Sequence, residues 1–152
     1  MERGNPVSKL TATAVLLALL AAATPALAGE QLVLIVSADS KVEQLDSLEL
    51  RKLFLGLTVT HNGNRLHPVL NETDARVQEI FLQNIVSMSD ITYDRRLLRL
   101  ALIQGQTQPT VYKDIALLID ALAADPSAVS YAWAKDVARD GRIRILRVLW
   151  YD

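Results

Sequence analysis

The stretch Asn71–Arg76 is where residue types and spacing come closest to a binding site. A β-prone segment ends there and a helix-prone segment begins. Free backbone N–H groups and the positive end of a helix dipole would meet at such a junction, and together they attract anions. Thr73 adds a hydroxyl, and Arg76 adds a guanidinium one turn into the helix. The alternative is ordinary capping by Thr73, with the carboxylates of Glu72 and Asp74 satisfying the dipole and repelling a phosphate.

Two serines and one loop extend this candidate site. Ser37 and Ser40 follow the first predicted strand, and their hydroxyls can donate hydrogen bonds. Ligands of open α/β sheets bind beyond the carboxyl ends of strands. We therefore predict one anion pocket where the first strand ends beside the helix that begins at Thr73. Its expected lining residues are Ser37, Ser40, Thr73, Arg76, Gly105 and Gln106.

Catalytic and metal chemistry find little support in the sequence. It lacks the nucleophile elbow, the phosphate-binding loop, the dinucleotide fingerprint and the zinc-protease motif. The two histidines, His61 and His67, flank the Asn62-Gly63 turn without a third metal ligand nearby. No nucleophile, base and orienting group stand together. We predict neither an enzyme nor a bound metal or cofactor.

Two groups of arginines are predicted to lie on surfaces, where they form either a solvated face or an anion or partner surface. They are Arg95, Arg96 and Arg99 on a helix, and Arg142, Arg144 and Arg147 on the last strand. Among the aromatic residues, Tyr131 and Trp133 are expected in the core. Their alternative is a recognition patch that also includes Trp150 and Tyr151.

The elements that must position these residues alternate between strands and helices. Continuous apolar residues over 31–36 predict a strand buried on both faces. Further strands are predicted around the Asn62-Gly63 hairpin and over 129–133 and 143–149, and helices from about 47, 73, 90 and 113. The predicted class is α/β, a mixed sheet with flanking helices packed through Phe54, Phe81, Leu118 and Leu122.

The N-terminal residues 1–28 are typical of a cleavable signal peptide. Arg3 and Lys9 precede an apolar run of about 14 residues, shorter than the roughly 20 that a membrane span needs, and Ala26-Leu27-Ala28 fits a signal peptidase. The 152 residues less these 28 leave 124, enough for the single domain expected over 29–152. There is no cysteine to form disulfides, and the net charge of −1 gives no overall attraction to nucleic acid or an anionic membrane. We predict a periplasmic product.

Four segments in this order resemble a known family. Leu48–Gly56 is similar to its Leu-x-x-(Ile/Leu)-Phe-x-Gly helix, and Asn62–Val69 to its Gly-x-x-(Ile/Leu)-x-Pro-Val hairpin. Asp74–Phe81 is similar to its x-x-Arg-x-x-Phe helix, and Asp125–Tyr131 to its Pro-Gly-Ala-Ile-Gly-Tyr turn and strand. The chain thus resembles the short phosphate-binding-protein-like domains. These are related to the substrate-binding proteins of bacterial phosphate ABC transporters, in the type II periplasmic binding protein class.

This resemblance implies a fold like one lobe of such a binding protein. It implies a module that binds phosphate or another small oxyanion beside an envelope transporter or sensor. The alternative is a periplasmic interaction module that kept the fold and lost the ligand. The family's Ser-Gly-Thr motif before its phosphate-binding helix corresponds here to Glu72-Thr73-Asp74, which keeps only the threonine and adds two acids. We therefore expect phosphate to bind with a dissociation constant larger than about 0.1 mM.

Overall fold

The continuous apolar run over residues 31–36 forms a strand that lies inside a five-stranded sheet, next to one of its two edge strands. The computed structural model describes residues 30–152. Its strands are β1 (Gln31–Ser37), β2 (Thr60–His61), β3 (Asn64–Arg65), β4 (His67–Asn71), β5 (Thr110–Tyr112), β6 (Ala128–Trp133) and β7 (Ile143–Tyr151). The helices are α1 (Ser47–Phe54), α2 (Ala75–Ile80), α3 (Asp90–Gln104), α4 (Ile115–Ala124) and α5 (Ala134–Val137). A π-helical segment, Phe81–Val86, continues α2.

The sheet is mixed and has the order β5-β4-β6-β1-β7, with β2 and β3 forming a separate hairpin. β4 pairs in parallel with both β5 and β6. β1 runs antiparallel to β6 on one side and to β7 on the other. Four strands therefore share one direction and β1 alone opposes them. This confirms the predicted α/β class, the mixed sheet and the interior position of β1.

Helices cover both faces of the sheet because β1 is apolar on both. Leu32, Leu34 and Val36 lie in one buried cluster with α1, α2 and α3, whereas Val33 and Ile35 lie in a second cluster with α4 and α5. The four residues predicted to pack the helices on the sheet, Phe54, Phe81, Leu118 and Leu122, are all at most 2 % exposed. The described residues contain no helix that is both long and apolar enough to cross a membrane.

Several local predictions are confirmed. α1 begins at the predicted residue 47, and Asp46 caps it in a capping box with Glu49, whose backbone N–H lies 2.7 Å from the Asp46 carboxylate. Asn62 and Gly63 adopt φ values of 50° and 79°, as a tight hairpin turn requires. Tyr131 and Trp133 are buried at 1 % and 3 % exposure, which confirms their place in the core.

Other local features differ from the predictions. β5 was not predicted, because its three residues are too few to give a periodic signal. The cap of α2 is Asp74 and not Thr73, because the Asp74 carboxylate accepts the backbone N–H groups of Arg76 and Val77. The predicted signal peptide lies outside the described residues.

Gly56 ends α1 in a backbone conformation that suits glycine. Its φ is +84°, and an added Cβ would lie 2.5 Å from Cδ1 of Leu100 on α3. We expect Gly56→Ala to lower the free energy of unfolding by about 1–2 kcal/mol, because alanine is strained at positive φ and must also displace Leu100. Urea denaturation would measure the loss. The matched change Gly141→Ala, which meets no atom within 4 Å, should cost less.

Candidate functional site at the carboxyl edge of the parallel strands

The parallel strands end together at one edge of the sheet. By register, Asn71 at the end of β4 lies beside the last residues of β6, and Trp133 of β6 and Trp150 of β7 both pair with Leu32 of β1. The chain continues from β4 into α2 and from β6 into α5 at this edge. We call this region the carboxyl edge. It consists of residues 71–76, 133–136 and 150–151, together with Glu30, which precedes β1. Ligands of open α/β sheets bind at such an edge.

The anion position at the start of α2 is already occupied by a side chain of the protein. Asp74 Oδ1 accepts hydrogen bonds from the backbone N–H of Arg76 at 2.7 Å and of Val77 at 3.3 Å. These N–H groups are the donors that an oxyanion at a helix N terminus would use. Any phosphate bound there must therefore displace, or share donors with, a carboxylate of like charge.

Thr73 is tied to the end of β4 by a buried asparagine. Its backbone N–H and its hydroxyl both donate to Oδ1 of Asn71, at 2.9 Å and 2.7 Å. Asn71 is 1 % exposed, and its Nδ2 donates to the carbonyl of Tyr131 at 2.7 Å on the neighbouring strand. Asn71 thus joins Thr73 to β6, and the hydroxyl proton that an anion would need is already used.

Two cations and two tryptophans lie at the same edge. The guanidinium of Arg76 is 5.4 Å from the ring centroid of Trp150, and its Nη1 lies 3.6 Å from a carboxylate oxygen of Glu79. Nζ of Lys135 is 5.8 Å from the ring centroid of Trp133. These cation–π contacts stabilise both cations by interaction with ring faces.

Acids outnumber these cations at the edge. Lys135 donates to the carboxylate of Glu30, a bond that raises the pKa of Lys135. The pKa of Asp136 is raised, first by burial and then by the like charges of Asp74 and Glu30, while Lys135 opposes the shift. Glu72 lies 3.8 Å from the ammonium of Lys113. The carboxyl edge thus carries a cluster of carboxylates that disfavours a second anion.

Ser37 and Ser40 lie at the opposite edge of the sheet, so the predicted grouping with Thr73 and Arg76 is wrong. The reason is that β1 runs opposite to β4 and β6, so its carboxyl end lies at the same edge of the sheet as the beginning of β4, with β6 between them. The separation along the strands is about six residues, or about 20 Å at 3.3 Å per residue. The Ser37 and Ser40 hydroxyls accept the backbone N–H groups of Asp39 and Val42 and thereby close turns.

Gly105 and Gln106 are also distant from Thr73. Gly105 ends α3 with φ of 62°, and the side-chain amide of Gln106 donates to Gln104 at 3.0 Å. Both residues line an open groove of about 880 Å³ beside the start of β4, together with Arg65 and His67. The loop therefore does not close over the carboxyl edge.

Each of the two histidines is paired with a carboxylate. His61 pairs with Glu49 at 3.3 Å and His67 with Asp125 at 2.9 Å. Within residues 30–152, no cluster of three or more metal-ligating side chains is present. The two pairs join segments that are 12 and 58 residues apart in sequence.

Lys135, Asp136 and Glu30 were not predicted as members of the site. Each lies next to a strand end at the carboxyl edge, but only the strand directions bring them near Thr73. The sequence did contain one indication that Lys135 and Asp136 belong to the site: both closely follow the strand predicted over 129–133.

Comparison with known proteins supports the fold assigned to the described domain. No protein-family model and no curated protein matches the sequence. Solved structures do match it. An ABC-type phosphate transport receptor from Vibrio cholerae aligns with a TM-score of 0.57 and 12% identity over 78% of this chain and 46% of that one. The described domain has the fold of a phosphate-binding-protein-like domain.

Two further structures agree with this assignment of the phosphate-binding-protein-like fold. A putative phosphate ABC transporter substrate-binding protein from Clostridium perfringens, solved with bound phosphate, aligns with a TM-score of 0.56 and 15% identity over 78% of this chain and 44% of that one. PstS from Borrelia burgdorferi aligns with a TM-score of 0.54 and 15% identity over 77% and 46%. The chain spans less than half the length of these structures, which is consistent with one lobe.

Proposed function

We propose that this chain is an exported accessory module of an envelope transport or sensing system and acts by contact with a partner protein. The observation that carries the proposal is the Asp74 carboxylate on the N–H groups of Arg76 and Val77. A high-affinity phosphate receptor would leave those donors for its ligand. In this chain the fold of a solute-binding lobe is kept while the donors at its strand ends are used internally.

The remaining donors at the carboxyl edge support the same conclusion. The Thr73 hydroxyl donates to Asn71, the Lys135 ammonium to Glu30, and the Arg76 guanidinium lies against Trp150 beside Glu79. An anion would have to exchange these partners for its own contacts and would gain little net free energy. The structural neighbours are transport binding proteins, and we propose no catalytic activity.

A second candidate is a weak oxyanion receptor at Thr73 and Arg76. It is favoured by the solvent-exposed guanidinium of Arg76, whose side chain is 53% accessible and can rotate toward the start of α2. The fold likeness to a substrate-binding protein solved with bound phosphate also supports it. Ser37, Ser40, Gly105 and Gln106 have no part in this version of the site because they lie at the other edge.

Calorimetric titration with inorganic phosphate separates the two candidates. We expect the natural protein to bind phosphate with a dissociation constant larger than about 0.1 mM. That value corresponds to a binding free energy of about 5.5 kcal/mol. Arg76→Ala should abolish any weak heat of binding if the second candidate is correct. A micromolar dissociation constant for the natural protein would overturn the interaction-module proposal.

Export is proposed on the signal-peptide pattern of residues 1–28. We expect the exported protein to begin at Gly29, because Ala26 and Ala28 supply the small side chains that signal peptidase accepts. Intact-mass spectrometry of protein recovered from the periplasm would check this. A mass that includes residues 10–28 would show that the apolar segment is retained, and substitution of Ala28 by a bulky residue should block cleavage.

A further inference from the structure

The helix α3 is attached to the domain along one side only. Of its 15 residues, Tyr93 and Leu97 are buried. The Tyr93 hydroxyl donates to the carbonyl of Phe54 at 2.7 Å, and Nε of Arg96 donates to the carbonyl of Leu55 at 2.9 Å. These contacts fix the helix against α1 and leave its opposite side in solvent.

The second half of α3 exposes aliphatic side chains on that free side. Leu98 is 50% exposed, Leu102 76% and Ile103 73%. Arg95 and Arg99 are exposed as well, and the three- and four-residue spacing places all five on neighbouring positions of the helix surface. We call these five residues the α3 outer face. A contiguous group of exposed aliphatic residues is a candidate interaction site.

The α3 outer face is also positively charged. Its five residues include two arginines, Arg95 and Arg99, and no acid, and the nearest acid along the helix is Asp94. Within residues 30–152, neither Arg95 nor Arg99 takes part in an ion pair. The local charge is therefore opposite in sign to the net charge of −1 of the whole chain.

We propose that the α3 outer face docks on an anionic lipid surface. Helices that lie in a membrane interface combine aliphatic side chains with Lys or Arg, and their long cationic side chains can reach headgroup phosphates while their stems stay in the apolar layer. A convex helix suits a fluid surface that adapts to it, whereas a protein partner must supply a matching groove. Both signals, apolar contact and charge, are needed for binding, and each alone is weak.

The test is co-sedimentation with lipid vesicles of the exported protein as it is recovered from the periplasm. We expect binding to vesicles of equal phosphatidylglycerol and phosphatidylcholine at least tenfold stronger than to phosphatidylcholine alone, and weaker at high salt. Arg95→Glu with Arg99→Glu should reduce the binding about tenfold or more, and Leu98→Ser with Leu102→Ser should do the same. These positions are exposed, so circular dichroism should show an unchanged fold.

A control with the same change in net charge is Lys41→Glu with Arg139→Glu, two exposed residues outside α3. All variants have the same N terminus, so a retained signal peptide would change the vesicle binding of each variant by the same amount. The control should bind like the natural protein. The proposal is overturned if anionic vesicles are not bound, which would leave the face to a protein partner. It is also overturned if the control loses as much binding as the α3 variants. Neither result depends on phosphate binding at the carboxyl edge.

Discussion

Phe81→Ala should lower the free energy of unfolding by about 3–5 kcal/mol, the loss expected for a fully buried aromatic ring. Phe81 is 2 % exposed. Its ring stacks on Tyr131 at a centroid distance of 4.5 Å and an angle of 5°, and it meets Phe54 and Tyr93 edge-on at 5.2 Å and 5.5 Å. The ring joins β6 to α1 and α3, and its loss would leave a cavity between all three.

Urea denaturation followed by circular dichroism would measure this loss. Leu102→Ala is a suitable control because Leu102 is 76% exposed, and its effect should stay within about 0.5 kcal/mol. A loss below 1 kcal/mol for Phe81→Ala would mean that the aromatic cluster does not hold the helices on the sheet. Should the variant not fold, Phe81→Leu keeps most of the volume and should give a smaller, measurable loss.

Replacement of the two acids at the β4–α2 junction should strengthen phosphate binding at least tenfold. Glu72→Ser with Asp74→Gly removes two negative charges and frees the backbone N–H groups of Arg76 and Val77 that Asp74 now occupies. Free N–H groups at a helix start, with Arg76 nearby, are what a phosphate requires. Calorimetry with inorganic phosphate would compare the variant with the natural protein.

The matched control is Glu43→Ser with Asp46→Gly. It also removes two acids and a helix cap, since Asp46 caps α1, but both residues lie in the segment between β1 and α1 and not at the β4–α2 junction. It should leave phosphate binding unchanged, which would assign the gain to position and not to net charge. No binding after the junction replacement would favour the interaction module over the weak oxyanion receptor. An equal gain in the control would contradict the role of Asp74.

Much of the fold was predictable because it depends on local patterns. The apolar run of β1 predicted a strand in the sheet interior, since only burial on both faces tolerates such a run. Asn62-Gly63 predicted the hairpin because few other residues adopt positive φ easily. The order of four short motifs was enough to indicate the phosphate-binding-protein-like fold, which the match to solved structures confirms.

The arrangement of the site was not predictable, because it depends on strand direction. Ser37 and Thr73 each follow a predicted strand, and both would share an edge if the strands were parallel. In the structure β1 opposes β4 and β6, so the two residues lie at opposite edges. Strand direction is set by pairings between residues far apart in sequence, which a local pattern does not contain.

The sequence by itself determined the chemical character of the β4–α2 junction, and the tertiary structure decided how that chemistry is used. Glu72 and Asp74 stand in the sequence as charges unfavourable to phosphate, whatever the fold. Only the structure shows that Asp74 caps α2 in place of Thr73, and that Thr73 instead donates to Asn71. The physical reason is that buried Asn71 is fixed by Tyr131 on β6, a contact between residues 60 positions apart. That contact orients the Asn71 oxygen toward Thr73 and leaves the helix start to the next side chain.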